Sequence, residues 1–336
     1  MIRIGVIGAI GYAGRELIRL LGIHPEAEVV AAVELEGGRP LADVLPAFAK
    51  TTGVVLETFD PDKLARECDV VFMALPGTQS MGLVPPLRSA GIRVIDMGPD
   101  FRLKDTAAFH QYYGAEHAAP ELLPESVYGL APYYRDRIRD AQLVAVPGCY
   151  VMSVLFPLRP IVDGLSTDVP VVVDAISGVS GAGRKLLEAF HFPEMNENLL
   201  AYKLGVHQHT PEIEQELGNK VMVQFSPHVG PYTRGILSTI TARPSGDLDP
   251  ASSYACYDDE PYVRVLGEGK LAQVGAVRGS NFCEFGWVRD QRTGNLIIVS
   301  AIDNLLGGTA GMAVQCLNIM FRLDERTGLN LAGMAP

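Results

Sequence analysis

The sequence predicts an α/β protein whose first half is a doubly wound parallel sheet. Three observations predict it. Near-continuous apolar runs recur at "IRIGVIG", "EVVAAVEL", "DVVFMALPG" and "IRVIDMG". Helical patterns alternate with them. The first run leads through a glycine turn straight into an amphipathic helix, "YAGRELIRLLG". Strands that are apolar on both faces and separated by helices belong to parallel sheets covered on both sides.

The first domain is expected to span residues 1–148. After Cys149 the texture changes. "PVVVDAISG", "KVMVQFSPHV", "RGILSTITARP", "YVRVLG" and "NLIIVSAID" read as strands joined by loops with few helices, which predicts a mixed or antiparallel sheet over 149–308. "GGTAGMAVQCLNIMFRL" then reads as a long helix with apolar spacing of three and four, able to return to the first domain as a C-terminal segment, 309–336.

Composition narrows the function. The 336 residues allow two domains and an ample core, and 48% apolar with 20% charged residues is ordinary for a globular protein. A net charge of -11 speaks against nucleic acid or an anionic membrane as the main partner. No apolar run reaches the ~18 residues of a spanning helix. The start, "MIRIGVIG", lacks the charged-then-apolar pattern of a signal peptide. Five scattered cysteines fit a reducing cytoplasm better than a disulfide framework, and no CxxC pair or His/Cys cluster suggests zinc.

Gly8, Gly11 and Gly14 form G-x-x-G-x-x-G between the first strand and the first helix. Glycines there permit a tight turn and close approach of a pyrophosphate to the backbone, with the helix N-terminus facing the negative charge. Glu34 ends the second strand, about 20 residues beyond Gly14, where an acid accepts hydrogen bonds from an adenine-ribose 2′-hydroxyl. A solvated loop glutamate is the alternative, and Arg39 is the only cation close to it in sequence.

In "VPGCYVMSVL" a Pro147-Gly148 turn delivers Cys149 to a helix start, where the dipole favours a thiolate. In "GVHQHTPEIEQEL", Thr210 is expected to cap a helix beginning at Pro211. His207 and His209 then lie just before the cap on exposed loop backbone. They suit general acid/base work, with Glu212 orienting one ring. Arg102, in "DMGPDFRLKD", sits at the carboxyl end of the fourth strand, and Arg184 lies in the glycine-rich "SGVSGAGRK". Two such arginines suggest an anionic substrate.

Several longer stretches carry a resemblance over nearly the whole chain: "GAIGYAGREL", "DFRLKD", "PGCY", "SGVSGAGRK", "NENLLAYK", "HQHTPEIEQEL", "FSPHVGPYTRG", "GSNFCEF" and "DNLLGGTAG". In this order they resemble the N-acetyl-γ-glutamyl-phosphate reductase family. The resemblance implies a Rossmann domain plus an α/β substrate and dimerisation domain of the semialdehyde dehydrogenase type, and a homodimer or homotetramer. It implies reduction of an acyl phosphate to an aldehyde, with NADP usual in the family and NAD left open by Glu34. Cys149 matches the nucleophile and His209 the acid/base. Arg102, Arg184, His207 and Glu212 fall in the substrate site; Gly8, Gly11, Tyr12, Gly14, Glu34, Ser180 and Gly181 fall on the cofactor. The chain departs from the family at Ile10, Gly77, Thr78, Val146, Gln208 and Gly307. A sister enzyme acting on carrier-linked α-aminoadipyl phosphate is similar enough to stand as the alternative, with a carrier protein as its partner. Aspartate-semialdehyde dehydrogenases share the thiol chemistry, and a nucleotide-binding protein that has lost the chemistry is a third reading.

Overall fold

The computed structural model describes residues 1–334; residues 335 and 336, the last of the expected 309–336 segment, lie outside it. The chain forms two compact units, one of Met1–Pro147 with Thr309–Asn330, the other of Gly148–Gly308 with the tail from Leu331.

In the first unit the strands are β1 (Ile2–Ile7), β2 (Ala27–Val33), β3 (Leu56–Glu57), β4 (Val70–Met73), β5 (Arg93–Asp96), β6 (Val127–Tyr128) and β7 (Leu143–Ala145). They pair in the order β3-β2-β1-β4-β5-β7-β6, parallel throughout. Every residue of β4 is buried, as expected of a sheet covered on both faces. The longer helices are α1 (Tyr12–Leu21), α2 (Pro61–Glu67), α3 (Ser80–Ser89), α4 (Thr106–Tyr113) and α5 (Ala131–Asp140).

These helices begin and end where the sequence supplies the chemistry. The Asp60 carboxylate accepts from Lys63 N at 2.9 Å and that of Asp105 from Ala107 N at 2.8 Å, satisfying amides that the first turn leaves open. Gly114 ends α4 at φ 69°, a left-handed conformation that glycine adopts freely.

The second unit opens with α6 (Cys149–Leu158) and contains α7 (His209–Glu216). Its strands are β8 (Val171–Gly178), β9 (Leu200–Ala201), β10 (Val223–Gly230), β11 (Ile236–Ala242), β12 (Val263–Glu268), β13 (Cys283–Arg289) and β14 (Leu296–Ile302), in the order β12-β13-β14-β11-β8-β10-β9. Parallel pairs (β8 with β10, β12 with β13) and antiparallel pairs make the sheet mixed. Burial alternates along β11, so one face is core. Helix α6 lies on that face, with Tyr150 through Leu158 all buried and Ser153 Oγ 2.7 Å from Ser238 Oγ of β11.

The chain then passes through a π-helical turn (Leu306–Ala310) into α8 (Gly311–Met320) and returns to the first unit. All ten residues of α8 are buried, against α5 and α1. Asn318 Oδ1 meets His24 Nε2 at 2.9 Å, and Glu325 just beyond pairs with Arg135 at 2.5 Å. Among the described residues no helix is long and apolar enough to cross a membrane.

Candidate active site

In the first unit the glycine loop follows β1. Gly8 has φ 85°, and a Cβ there would stand 2.4 Å from the Ala74 carbonyl oxygen. A Cβ on Gly14 would stand 2.2 Å from Gly8 O. A side chain at Gly8 would force the loop off the end of β4, and one at Gly14 would push the start of α1 away from the loop. Gly11 is the N-cap of α1, with no side chain filling the cap and no acid in the first turn. The helix therefore presents uncapped amides to an anion, so the residues present fit a dinucleotide pyrophosphate. Tyr12 begins the helix. Arg15 Nε donates to Ile10 O at 2.9 Å, and its guanidinium lies 5.6 Å over the Tyr12 ring. Glu34 turns back toward this loop, and its Oε1 accepts from Ile10 N at 2.7 Å.

At the carboxyl edge of the same sheet two buried carboxylates meet. Asp100 accepts from Thr78 N at 2.7 Å and Met81 N at 3.0 Å, where α3 begins. Asp96 Oδ1 accepts from Ser80 Oγ at 2.9 Å and Gly98 N at 2.8 Å. Burial first, then the charge of Asp100, push the Asp96 carboxyl up to about 7. Arg102 is only 6% exposed. Its Nε donates to Val146 O at 2.7 Å and its Nη2 to Met97 O at 2.9 Å. The arginine expected to hold substrate is found tying together the ends of β5 and β7.

In the second unit Cys149 is the first residue of α6, half-buried at the positive end of the helix dipole. Two glycines make room for it. A Cβ on Gly308 would stand 2.9 Å from Cys149 Cβ, and one on Gly148 only 2.4 Å from His209 Nε2. The His209 ring therefore lies against the backbone of the residue just before the cysteine. Buried Glu212 fixes that backbone, its Oε1 accepting from Gly148 N at 2.9 Å. Glu212 was expected to orient a histidine ring; the bond the structure shows is this one to the turn, which spacing could not reveal.

The histidine segment differs from expectation in two ways. Helix α7 begins at His209, with Gln208 as its N-cap and no side-chain capping bond, so Thr210 lies in the first turn instead of capping it. The Thr210 amide donates to His207 O at 3.0 Å, which closes the turn one step earlier. His207 is 4% exposed, not on open loop backbone. Tyr150, Tyr202 and Phe225 enclose it with ring centroids 5.1–5.8 Å away, and His209 stands at 4.7 Å. Burial first, then the neighbouring His209 and Lys203, push the His207 imidazole down to about 2, so the ring is neutral. Its Nδ1 accepts from His209 N at 3.1 Å, which leaves the proton on Nε2. His207 thus supports the backbone of His209. Sequence reasoning did not single out Tyr150 and Tyr202, whose hydroxyls stand 3.4 Å apart, with Tyr150 donating onward to His228 O at 2.8 Å.

The loop after β8 is held from two sides. Ser180 Oγ accepts from Asn304 Nδ2 at 2.9 Å, and Asn304 Oδ1 accepts from Gly235 N at 2.7 Å. A Cβ on Gly181 would stand 2.7 Å from Ser177 Oγ. Asp303, fully buried, accepts from Arg234 at 3.0 Å and from the Gly279, Leu305 and Leu306 amides. Neither Asp303 nor Asn304 was predicted as a site residue, although "DNLLGG" is distinctive. Arg184 lies on the exposed segment that follows, and its side chain makes no hydrogen bond or ion pair among the described residues.

Gly148 carries a direct test of this geometry. At φ -68° and ψ 150° its backbone accommodates alanine, so Gly148→Ala acts through the His209 ring alone. Displacing that ring is expected to lower kcat about 100-fold with little change in cofactor affinity. Steady-state kinetics beside cofactor titration will check it; an unchanged kcat would show that the ring's position is immaterial.

A nucleotide cradle on a parallel sheet and a thiol at a helix start define a class, and comparison with known proteins agrees. Residues 3–141 match the family model described as semialdehyde dehydrogenase, NAD binding domain, and residues 149–304 the one described as semialdehyde dehydrogenase, dimerisation domain. Aspartate semialdehyde dehydrogenase of Candida albicans, solved with NADP, superposes with TM-score 0.72 at 17% identity, covering 96% of this chain and 98% of that one. Aspartate semialdehyde dehydrogenase II of Vibrio cholerae gives 0.71 at 16% identity over 96% and 98%. At such identities these two share the fold. The protein is a nicotinamide-dependent oxidoreductase of the semialdehyde dehydrogenase class.

Sequence relatives narrow this further. N-acetyl-gamma-glutamyl-phosphate reductase of Citrifermentans bemidjiense is 45% identical over the full length of both chains. That of Symbiobacterium thermophilum is 46% identical over 99% of this chain and 98% of its own. The chain belongs to the N-acetyl-γ-glutamyl-phosphate reductase family.

Proposed function

We propose that the chain reduces N-acetyl-γ-glutamyl phosphate to N-acetylglutamate 5-semialdehyde and inorganic phosphate, as a step of arginine biosynthesis in the cytoplasm. The observation that carries this reading is Cys149 at the head of α6 with the His209 ring against Gly148. In this mechanism His209 accepts the thiol proton and the Cys149 thiolate attacks the acyl carbon. The acyl-oxygen bond breaks, phosphate departs with its electron pair, and a thioester remains on Cys149. When bound, the reduced nicotinamide supplies the hydride that the thioester carbonyl accepts. The resulting thiohemiacetal oxyanion collapses, the carbon-sulfur bond breaks, and the thiolate is restored as the aldehyde leaves. His209 holds and returns the proton, and main-chain amides at the start of α6 stabilise the oxyanion.

Other residues take supporting parts in this reading. Gly8, Gly11, Tyr12 and Gly14 hold the dinucleotide, and the family resemblance assigns Ser180 and Gly181 to the same cofactor. Arg102 supplies positive charge at the carboxyl edge of the parallel sheet for the substrate's anionic group, exposed Arg184 is a second arginine for that group, and His207 and Glu212 keep the catalytic pair in place. The dimerisation-domain match supports assembly of copies, as a homodimer or homotetramer. The named relatives favour the acetylated substrate over the carrier-linked one.

The test runs the reaction in its oxidative direction, with N-acetylglutamate semialdehyde, phosphate and either NAD+ or NADP+. Phosphate-dependent formation of reduced cofactor is expected. Turnover of aspartate semialdehyde with none of the acetylated substrate would overturn the reading.

A further inference from the structure

We infer that this chain selects NAD(H) over NADP(H), and that Glu34 is the selecting residue. The inference rests on reading the first unit as the dinucleotide site, and concerns the part of that site that meets the adenosine ribose.

Glu34 follows β2 directly, and its amide donates to Glu57 O at 2.9 Å, which holds the chain alongside β3. Its side chain does not trail into solvent as that of Leu35 does, which is 97% exposed. The carboxylate bends back to the glycine loop, and Oε1 accepts from Ile10 N at 2.7 Å. One oxygen is thereby anchored and the charge fixed beside the loop that cradles the pyrophosphate. The second oxygen is an acceptor at the end of the second strand, where the ribose of a dinucleotide lies. A 2′-hydroxyl there donates to it. A 2′-phosphate carries between one and two negative charges at neutral pH and no donor once ionised, so it meets repulsion.

Among the described residues, no cation near Glu34 is placed to reverse that sign. Arg39, the cation closest in sequence, pairs with Glu36 at 3.7 Å on the open surface. Lys63 pairs with Glu57 at 2.6 Å and lies 3.9 Å from Glu67. Each of these charges is matched by carboxylate, and Glu34 remains in excess. Arg15 is the cation in the first turn of α1; its Nε donates to Ile10 O and its guanidinium lies 5.6 Å over the Tyr12 ring. An anion-accepting pocket would need the opposite arrangement, with spare arginine or lysine donors and no fixed carboxylate.

The experiment is equilibrium titration of the intact protein with NADH and with NADPH, followed by nucleotide fluorescence, at low and high salt. NADH is expected to bind at least about tenfold more tightly at low salt, with the ratio narrowing as salt screens the repulsion. Glu34→Gln keeps the shape and removes the charge. It is expected to tighten NADPH binding about tenfold and to change NADH binding less than about threefold. Two results would overturn the inference. One is NADPH bound at least as tightly as NADH by the unaltered chain, which would assign the 2′-phosphate to Arg15. The other is a preference for NADH that Glu34→Gln leaves unchanged. Either would leave the proposed reaction standing, because phosphate-dependent turnover is measured separately. Binding of neither nucleotide would overturn both.

Discussion

Replacing Cys149 by alanine is expected to lower turnover by about four to six orders of magnitude while leaving cofactor affinity unchanged. Alanine keeps the Cβ that packs against Gly308 and removes only the sulfur, so the start of α6 is preserved. The measurement is phosphate-dependent turnover beside cofactor titration. Turnover within about tenfold of the unaltered protein would remove Cys149 from the chemistry. Alkylation gives an independent check, because the other thiols are poor nucleophiles. Burial pushes Cys68 up to about 11 and Cys283 up to about 12, and drives Cys316 further in the same direction. Cys256 is exposed but also shifted upward. Brief treatment at neutral pH is therefore expected to label Cys149 first and to abolish activity in proportion.

The second large effect is on stability and concerns Asp96. Its carboxyl is fully buried, and Oδ2 has no hydrogen-bond partner among the described residues. The folded-state value near 7 lies above the ordinary 3.8, so the folded chain binds a proton more firmly than the unfolded one. The favourable contribution is complete below about pH 4, where both states are protonated, and is lost as pH rises toward 7. Asp96→Asn removes this titration and keeps an acceptor for Ser80 Oγ and Gly98 N. The stability difference between variant and parent is expected to shift toward the variant by on the order of 4 kcal/mol between pH 4 and pH 8. Comparing the two proteins cancels groups that titrate with the opposite sign. Neutral His207 is one, because the unfolded state gains a proton there as pH falls below about 6.5 and the folded state does not. Denaturant unfolding across that range will check the difference; a flat profile would show that Asp96 stays charged when buried.

Much of this architecture was legible in the chain itself. The apolar runs that form β1, β2, β4 and β5 are long enough to announce strands, and the glycine spacing placed the turn between β1 and α1. Other elements were hidden for physical reasons. In strand β13 Cys283, Phe285 and Trp287 alternate with Glu284 and Gly286, but the interior glycine weakens the strand signal. Gly286 is there because the chain passes closely: a Cβ would stand 2.0 Å from Lys270 O, and that approach belongs to tertiary structure. Strand β7 has only three residues and merges into the Pro147-Gly148 turn. In the site, residue types and spacing marked Cys149 and His209 as candidates. They could not reveal that His207 is enclosed, since Tyr150, Tyr202 and Phe225 come from distant parts of the chain. Nor could they show that Glu34 reaches back to Ile10, a contact made only after β2 has paired with β1.

The return of α8 to the first unit has a consequence for how the protein is made. That unit is written in two pieces of sequence with Gly148–Gly308 of the other between them, and the contacts that join the pieces, such as His24 to Asn318 and Arg135 to Glu325, close very long loops. Such contacts form late, because chain entropy opposes them until the intervening residues are already compact. During synthesis the first strands and helices emerge long before the segment that will cover α1 and α5. The nascent sheet therefore waits with an apolar face uncovered, while the inserted unit, continuous from Gly148 to Gly308, has all of that span for its own folding. Helix α8, made after the inserted unit, seals the unit begun before it. A chain stopped near Gly308 would be left with the cofactor cradle built on an unfinished core.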